Sequence, residues 1–270
     1  MTEPVPPRRS SPVLPPPVPS SPARPLRFIG IDLAAAAERT GAAVLVQDPR
    51  SGRLMLEQAL LGADDDVIVE LVSESDKAGV DVPFGWPEPF VRLVAGHRAG
   101  TLTPAPESGP SWRRELALRT TDRAVQELTG LTPLSVSTDR IAYPALRWAN
   151  LAARMRAAGV PVEPDGAGVA CEVYPAAALR TWGLPFRAYK KAGREPVRTD
   201  LVAALTGRLP HLDLAGHTET LVAQDDVLDA LVSALVAREV YHGNSHLPDA
   251  AHLAPARREG WVHVPAGPPT

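Results

Sequence analysis

Five carboxylates of this 270-residue chain lie within or beside apolar segments, where a charged side chain is unexpected. Three of them interrupt short apolar runs and two share a helical segment three residues apart: Asp32, Asp81, Glu172, Asp226 and Asp229. A buried ionised carboxylate needs a counter-charge, a bound metal ion or a raised pKa. The five residues are therefore the candidates for chemistry.

The chemistry that such a set of acids favours is metal-assisted phosphoryl transfer. Ligands of α/β sheets gather at strand ends, so three acids near strand ends and a helical pair are expected to converge. Hard oxygen ligands select Mg²⁺ or Mn²⁺ over zinc. Two such ions about 4 Å apart would stabilise both the attacking and the leaving oxygen of an in-line displacement. The pattern therefore predicts a Mg²⁺ or Mn²⁺ site in which all five carboxylates are ligands.

Each acid taken alone also has a structural explanation. Asp32 could cap a turn, and Asp81 could brace the turn that follows it. Asp226 could interact with the dipole of its own helix, and Glu172 could pair with a buried arginine. Because five such positions occur together, the metal interpretation is favoured over these alternatives.

The elements that carry the acids follow from hydrophobic patterns. Strands are expected at residues 27–34, 42–47 and 54–61 as an antiparallel meander, followed by a helix at 64–75 and a strand at 78–82. Later elements are expected at 88–165 (mostly helical), 168–174 (strand), 199–208 and 225–241 (helices) and 260–265 (extended). The chain is thus expected to be an α/β protein.

Composition sets the limits of this interpretation. Ten of the thirty prolines lie in residues 1–25, which predicts a disordered tail followed by one domain at 26–270 with a helical insertion at about 88–165. Arg8 and Arg9 resemble the start of a twin-arginine export signal, but the apolar segment of such a signal does not follow them. A single cysteine excludes an internal disulfide, and no apolar run is long enough for a membrane span. The net charge of −3 does not indicate a strongly basic nucleic-acid coat. We therefore expect a cytoplasmic protein with no membrane partner.

Seven short segments, taken in order, resemble those of the predicted ribonuclease H-like nuclease family called domain of unknown function 429. They are Gly30–Ala34, Val80–Pro87, Arg119–Arg123, Glu172–Ala177, Tyr189–Lys190, Asp225–Leu231 and Glu259–Val262. The resemblance spans about residues 27–265. It implies a ribonuclease H-like mixed sheet, with three antiparallel strands and then parallel strands, flanking helices and a helical insertion.

The resemblance also implies a role for each acid. Asp32 would be the ligand on the first strand, Asp81 the acid of the fourth strand, and Glu172 a neighbour on the fifth. The C-terminal helix pair would be Asp226 and Asp229, an arrangement similar to that of Holliday-junction resolvases. Weaker candidates for the helical glutamate of ribonuclease H itself are Glu70 and Glu74.

Several cations lie in or next to the family-like segments. Arg119, Arg123 and Lys190 are predicted to bind substrate phosphates. By contrast, the expected position of Lys191, Arg194 and Arg198 is a solvated helix face.

Three functions remain open on this reasoning. The first is a metal-dependent nuclease that hydrolyses DNA or RNA with Mg²⁺ or Mn²⁺. The alternative is a catalytically silent ribonuclease H-like module that binds nucleic acid or protein. A phosphotransferase of actin-like fold is less supported, because the sequence lacks a glycine-rich phosphate loop.

Overall fold

A six-stranded mixed sheet forms the centre of the structure, a computed structural model that describes residues 24–270. Its strands are β1 (Leu26–Asp32), β2 (Gly41–Gln47), β3 (Leu54–Leu61), β4 (Lys77–Asp81), β5 (Ala170–Glu172) and β6 (Leu212–Asp213). They lie in the order β5-β4-β1-β2-β3-β6. Strands β1 to β3 are antiparallel neighbours, whereas β4 is parallel to β1 and β5 is parallel to β4. The predicted meander followed by parallel strands is confirmed.

Ten α-helices surround this sheet in the described part of the chain. They are α1 (Asp65–Ser73), α2 (Glu88–Ala99), α3 (Pro110–Ala117), α4 (Thr120–Thr129), α5 (Ala142–Ala157), α6 (Pro175–Thr181), α7 (Glu195–Arg208), α8 (Thr218–Ala223), α9 (Asp225–Tyr241) and α10 (Leu253–Glu259). Helices α2 to α5 occupy the region that the sequence predicts as mostly helical. The predicted helix at 225–241 coincides with α9.

The two faces of the sheet bury separate hydrophobic cores. Side chains of a strand alternate between the faces, so Phe28 packs with α9 on one side while Ile29 and Ile31 pack on the other. Ile68 of α1 and Trp148 of α5 belong to that second core. Helix α9 lies directly on the sheet and is buried on nearly all sides.

Glycines in the strands allow α9 to approach the sheet closely. A Cβ atom on Gly30 would lie 1.8 Å from the carbonyl oxygen of Ala230, and one on Gly41 would lie 2.2 Å from that of Asp226. Because Gly41 is the register partner of Asp32, this contact brings the first turn of α9 to the end of β1. The helical acids are thereby positioned at the same edge of the sheet as Asp32.

Two further expectations concern the N-terminal tail and a membrane-spanning segment. The predicted tail at residues 1–25, with Arg8 and Arg9, lies outside the described residues except for its last two positions. Of these, Arg24 forms an ion pair with Asp76 at 2.7 Å. Between residues 24 and 270 there is no helix with the length and apolar character needed to cross a membrane.

Candidate functional site

Two of the predicted acids end neighbouring parallel strands. Asp32 is the last residue of β1, Asp81 is the last residue of β4, and the two are partners in the strand register. Both residues are partly exposed. Carboxyl ends of parallel strands meet at one edge of a sheet, which is where ligands bind in α/β proteins.

The aspartates of α9 belong to the same site, as their electrostatic effects show. Burial raises the pKa of Asp32 well above its usual value, and the negative charges of Asp229, Asp81 and Asp226 raise it further. Burial also raises the pKa of Asp81 to about 7; Lys190 opposes this rise and Asp229 adds to it. The structure thus brings four of the five predicted acids together. We refer to Asp32, Asp81, Asp226 and Asp229 as the aspartate cluster.

Lys190 supplies the cluster's closest positive charge. Its ammonium group forms an ion pair with the fully buried Asp229, whose Oδ1 also accepts a hydrogen bond of 2.7 Å from the Tyr189 hydroxyl. Burial lowers the pKa of Lys190, but Asp229, Asp32 and Asp81 raise it well above its usual value, so the ammonium stays charged. Across residues 24–270, no three His, Cys, Asp or Glu side chains form a ready-made metal site.

The segment that carries Lys190 has a strained backbone. Ala188 and Lys191 adopt positive φ angles of 62° and 85°, which cost roughly 1–2 kcal/mol for a residue with a side chain. The guanidinium of Arg198 holds the segment, since its Nη1 donates to the carbonyl oxygens of Tyr189 at 2.7 Å and of Lys191 at 3.0 Å. Strain of this kind often lies at functional sites.

The expectation that Arg198 lies on a solvated face is therefore wrong. Its side chain is only 1% exposed, because the loop carbonyls that it satisfies are themselves buried from water. The sequence held a sign of this, since Arg198 shares a helical apolar stripe with Leu201, Val202 and Leu205. Lys191 and Arg194, in contrast, are exposed as expected.

Asp226 has a counter-charge of its own at the rim of the cluster. Its Oδ2 accepts a hydrogen bond of 3.1 Å from Nε of the exposed Arg39. Arg39 lies in a short 3₁₀ turn, Ala37–Arg39, between β1 and β2. Sequence reasoning did not identify this pair, because no local pattern links two residues so far apart along the chain.

Glu172 is near enough for its charge to raise the pKa of Asp81, and it lines the same cavity, but it has a counter-charge of its own. It ends β5 and is buried, and its two oxygens accept hydrogen bonds of 2.8 and 2.6 Å from Arg119. Arg119 is also bound by Asp122, so that Arg119, Asp122 and Glu172 form what we call the arginine cluster. The structural explanation considered for Glu172, a pair with a buried arginine, is the arrangement observed.

Arg119 has no donor left for a phosphate. Its five N–H groups are used by Asp122 at 3.2 and 2.8 Å, by Glu172, and by the carbonyl oxygen of Glu259 at 3.1 Å. Arg123 lines a different groove on the surface and donates to the carbonyl oxygen of Leu118 at 2.7 Å. Of the three predicted phosphate-binding residues, only Lys190 lies at the aspartate cluster.

The remaining candidates lie elsewhere. Glu70 and Glu74 belong to α1 and its end, and α1 packs on the sheet face opposite to α9. A cavity of about 550 Å³ lies beside the aspartate cluster and is lined by Asp81, Tyr174 and Lys190, among others. The site therefore combines an acidic centre, a half-exposed lysine and an adjoining cavity.

Comparison with known proteins assigns a family but no activity. Residues 30–253 match the family model described as "Protein of unknown function (DUF429)". No curated protein and no solved structure gives a significant match. Because the matched region covers most of the chain, the chain belongs to the DUF429 family.

Proposed function

We propose that this protein is a metal-dependent nuclease of ribonuclease H-like fold that hydrolyses phosphodiester bonds in nucleic acid. The observation that carries the proposal is the aspartate cluster: acids from β1, β4 and α9 share one edge of the sheet, and the charge of Asp229 on α9 raises the pKa of both Asp32 and Asp81. Perturbed acids gathered beside a cavity are typical of functional sites.

The topology supports the ribonuclease H-like part of the proposal. The strand order β5-β4-β1-β2-β3, with three antiparallel strands followed by parallel ones, is the order of that fold. In this analogy α9 takes the place of the C-terminal helix that contributes acids to the site. Since one fold supports many functions, the argument for activity depends on the site.

The donor set fits Mg²⁺ or Mn²⁺. All four side chains of the aspartate cluster offer hard carboxylate oxygens, and the buried Oδ2 of Asp229 already contacts a cation, the half-exposed ammonium of Lys190, whose place a metal ion would take. Asp32, Asp81 and Asp229 would hold the ion, with Asp226 beside them. When bound, the ion would supply Lewis acidity for phosphodiester hydrolysis.

The chain's own residues would prepare the site for substrate. About half of the Lys190 side chain is exposed, so its ammonium can move from the carboxylates to a substrate phosphate. Tyr189 keeps Asp229 in place through its hydrogen bond, and Arg198 fixes the backbone on both sides of Lys190. The cation would thus balance the acids in the free protein and bind the phosphate in the complex.

The test is Mn²⁺-dependent cleavage of single- and double-stranded DNA and RNA by the purified protein. We expect Asp32→Asn to abolish cleavage without loss of helical circular dichroism, because it removes one anionic ligand at nearly constant shape. Asp200→Asn, an exposed acid on α7, is the matched control and should cleave as the wild type does. Wild-type cleavage rates in purified Asp32→Asn would rule out the nuclease proposal.

A catalytically silent binding module is the second candidate. It is favoured by the Lys190–Asp229 ion pair, which already balances part of the cluster's charge, and by the missing ready-made metal site within residues 24–270. Calorimetric titration with Mn²⁺ separates the two functions. Heat of binding that disappears in Asp32→Asn supports the nuclease, whereas its absence in the wild type at millimolar Mn²⁺ supports the binding module.

A further inference from the structure

The cavity beside the aspartate cluster has the size of a small-molecule site. Its volume of about 550 Å³ falls within the roughly 300–1,000 Å³ typical of ligand pockets. Asp81 and Lys190 belong both to the cavity wall and to the cluster's electrostatic network. A ligand bound here would therefore touch the aspartate cluster directly.

Part of the cavity is cationic. Lys191 and Arg194 line it next to Lys190, and both are exposed. Neither side chain forms an ion pair with a carboxylate in the part of the chain that the structure describes. Lys191 is held in place through its backbone, whose N–H donates to Asp225 at 2.9 Å. Two free cations on one wall favour a ligand with a phosphate group.

Another part of the cavity is apolar and partly aromatic. Leu134, Ile141 and Phe186 line it, and Leu134 is 60% exposed although it is a large hydrophobic residue. The Tyr174 hydroxyl, also on the wall, makes no hydrogen bond to any residue of the 24–270 range. A flat, largely apolar ring with polar edges would cover Leu134 and satisfy Tyr174.

We propose that this cavity binds a single nucleotide unit, with its phosphate against Lys191 and Arg194 and its base against Leu134, Ile141 and Phe186. The inference deepens the proposed nuclease function by naming what the site recognises. The unit is either a free nucleoside monophosphate or the terminal nucleotide of a strand. The proposal therefore commits to a nucleotide with at least one free end, and binding of an internal nucleotide of a closed strand is the outcome that contradicts it.

The first experiment measures binding without metal. Adenosine 5′-monophosphate, adenosine and inorganic phosphate are titrated into the full-length protein in EDTA by calorimetry. We expect the nucleotide to bind at least about tenfold more tightly than either part, because only the whole molecule uses both walls. Equal affinity for phosphate or adenosine alone, or no binding of the nucleotide at millimolar concentration, overturns the proposal.

Substitutions in the cationic and in the apolar part of the cavity lining test whether both parts contact the nucleotide. Arg194→Glu and Leu134→Glu should each weaken nucleotide binding about tenfold or more. Arg50→Glu and Leu128→Glu make the same changes at exposed positions outside the cavity lining and should bind normally. Unchanged binding in both cavity variants contradicts the assignment.

A competition experiment identifies the source of the nucleotide. Linear and circular single-stranded oligonucleotides of one sequence compete with the bound monophosphate. Competition by the linear form alone assigns the cavity to strand ends, and competition by neither form assigns it to free nucleotides. Equal competition by the circle refutes the proposal. Since no metal is present, these results are independent of the cleavage test of the nuclease function.

Discussion

The aspartate cluster and the arginine cluster lie at the carboxyl ends of neighbouring strands, yet they balance charge in opposite ways. In the arginine cluster one buried cation donates all five N–H groups to fixed acceptors, and Glu172 and Asp122 are fully engaged. In the aspartate cluster several acids share a lysine whose side chain is half exposed. The first arrangement leaves no donor of its cation free, whereas the cation of the second is still accessible to solvent.

The way in which the buried charges are paired distinguishes a structural cluster from a candidate functional site better than the residue types do. Both clusters contain buried acids within family-like segments, and the sequence therefore groups Glu172 with the aspartates. A saturated buried ion pair resists change, because removal of one partner leaves an uncompensated charge. Acids that still repel one another can accept a further cation: burial raises the pKa of Asp32 and of Asp81 most, and the negative charge of Asp229 raises both further.

Replacement of Arg119 should have the largest effect. Arg119→Met leaves Glu172 and Asp122 buried without a counter-charge, and we expect a loss of about 3–5 kcal/mol in the free energy of unfolding. Urea denaturation followed by circular dichroism measures this loss. Arg98→Met, an exposed change on α2, is the control and should shift stability by less than about 0.5 kcal/mol. A loss below about 1 kcal/mol in Arg119→Met would show that the arginine cluster is not a structural unit.

Replacement of Lys190 should have a smaller and conditional effect. At pH 8 Lys190→Met removes the cation nearest to Asp229, and we expect a loss of roughly 1–3 kcal/mol, reduced because half of the side chain is solvated. At pH 5 the loss should be smaller, because Asp81, with a pKa of about 7, is then protonated and repels Asp229 less. The measurement is urea denaturation at both pH values.

Addition of Mn²⁺ is a second test of Lys190 as the counter-ion of the aspartate cluster. If the ion replaces the ammonium, Mn²⁺ should stabilise Lys190→Met more than the wild type at pH 8, since a ligand of the folded state adds to stability. Lys191→Met, the neighbouring exposed lysine, should show neither the pH dependence nor the extra response. Equal losses at both pH values, or equal responses to Mn²⁺, would mean that Lys190 is not the counter-ion of the aspartate cluster.

Much of the fold could be predicted because its signals are local. Apolar runs located β1 to β4, and the 3.6-residue period located α9. The missed elements are short: β6 has two residues, α8 has six and α10 has seven. An element of this length contains too few residues to show a period, so tertiary contacts decide whether it forms.

The candidate site was only partly predictable, for a different reason. Asp32, Asp81 and Asp229 stood out because each interrupts an apolar segment. The separation of Glu172 from them depends on Arg119, which is 53 residues away along the chain, and no local pattern encodes that pair. The strained backbone at Lys191 likewise gives no signal, because residues other than glycine rarely adopt a positive φ.

The smallest predicted effect is a pH dependence that belongs to Asp81. Its pKa is about 7 in the folded protein and about 4 when unfolded. The folded state therefore holds this proton over a range in which the unfolded state has lost it, and this contribution to stability decreases as pH rises from about 4 to 7.

Asp81→Asn removes this pH-dependent contribution. In EDTA the variant should gain on the wild type with rising pH, by less than about 1 kcal/mol per pH unit because Asp81 is partly exposed. Urea denaturation at pH 5, 6, 7 and 8 gives this difference, with Asp200→Asn as the control. A difference that stays constant with pH, or that favours the wild type at pH 8, would show that Asp81 is as well compensated as Glu172 and would remove the contrast between the two clusters.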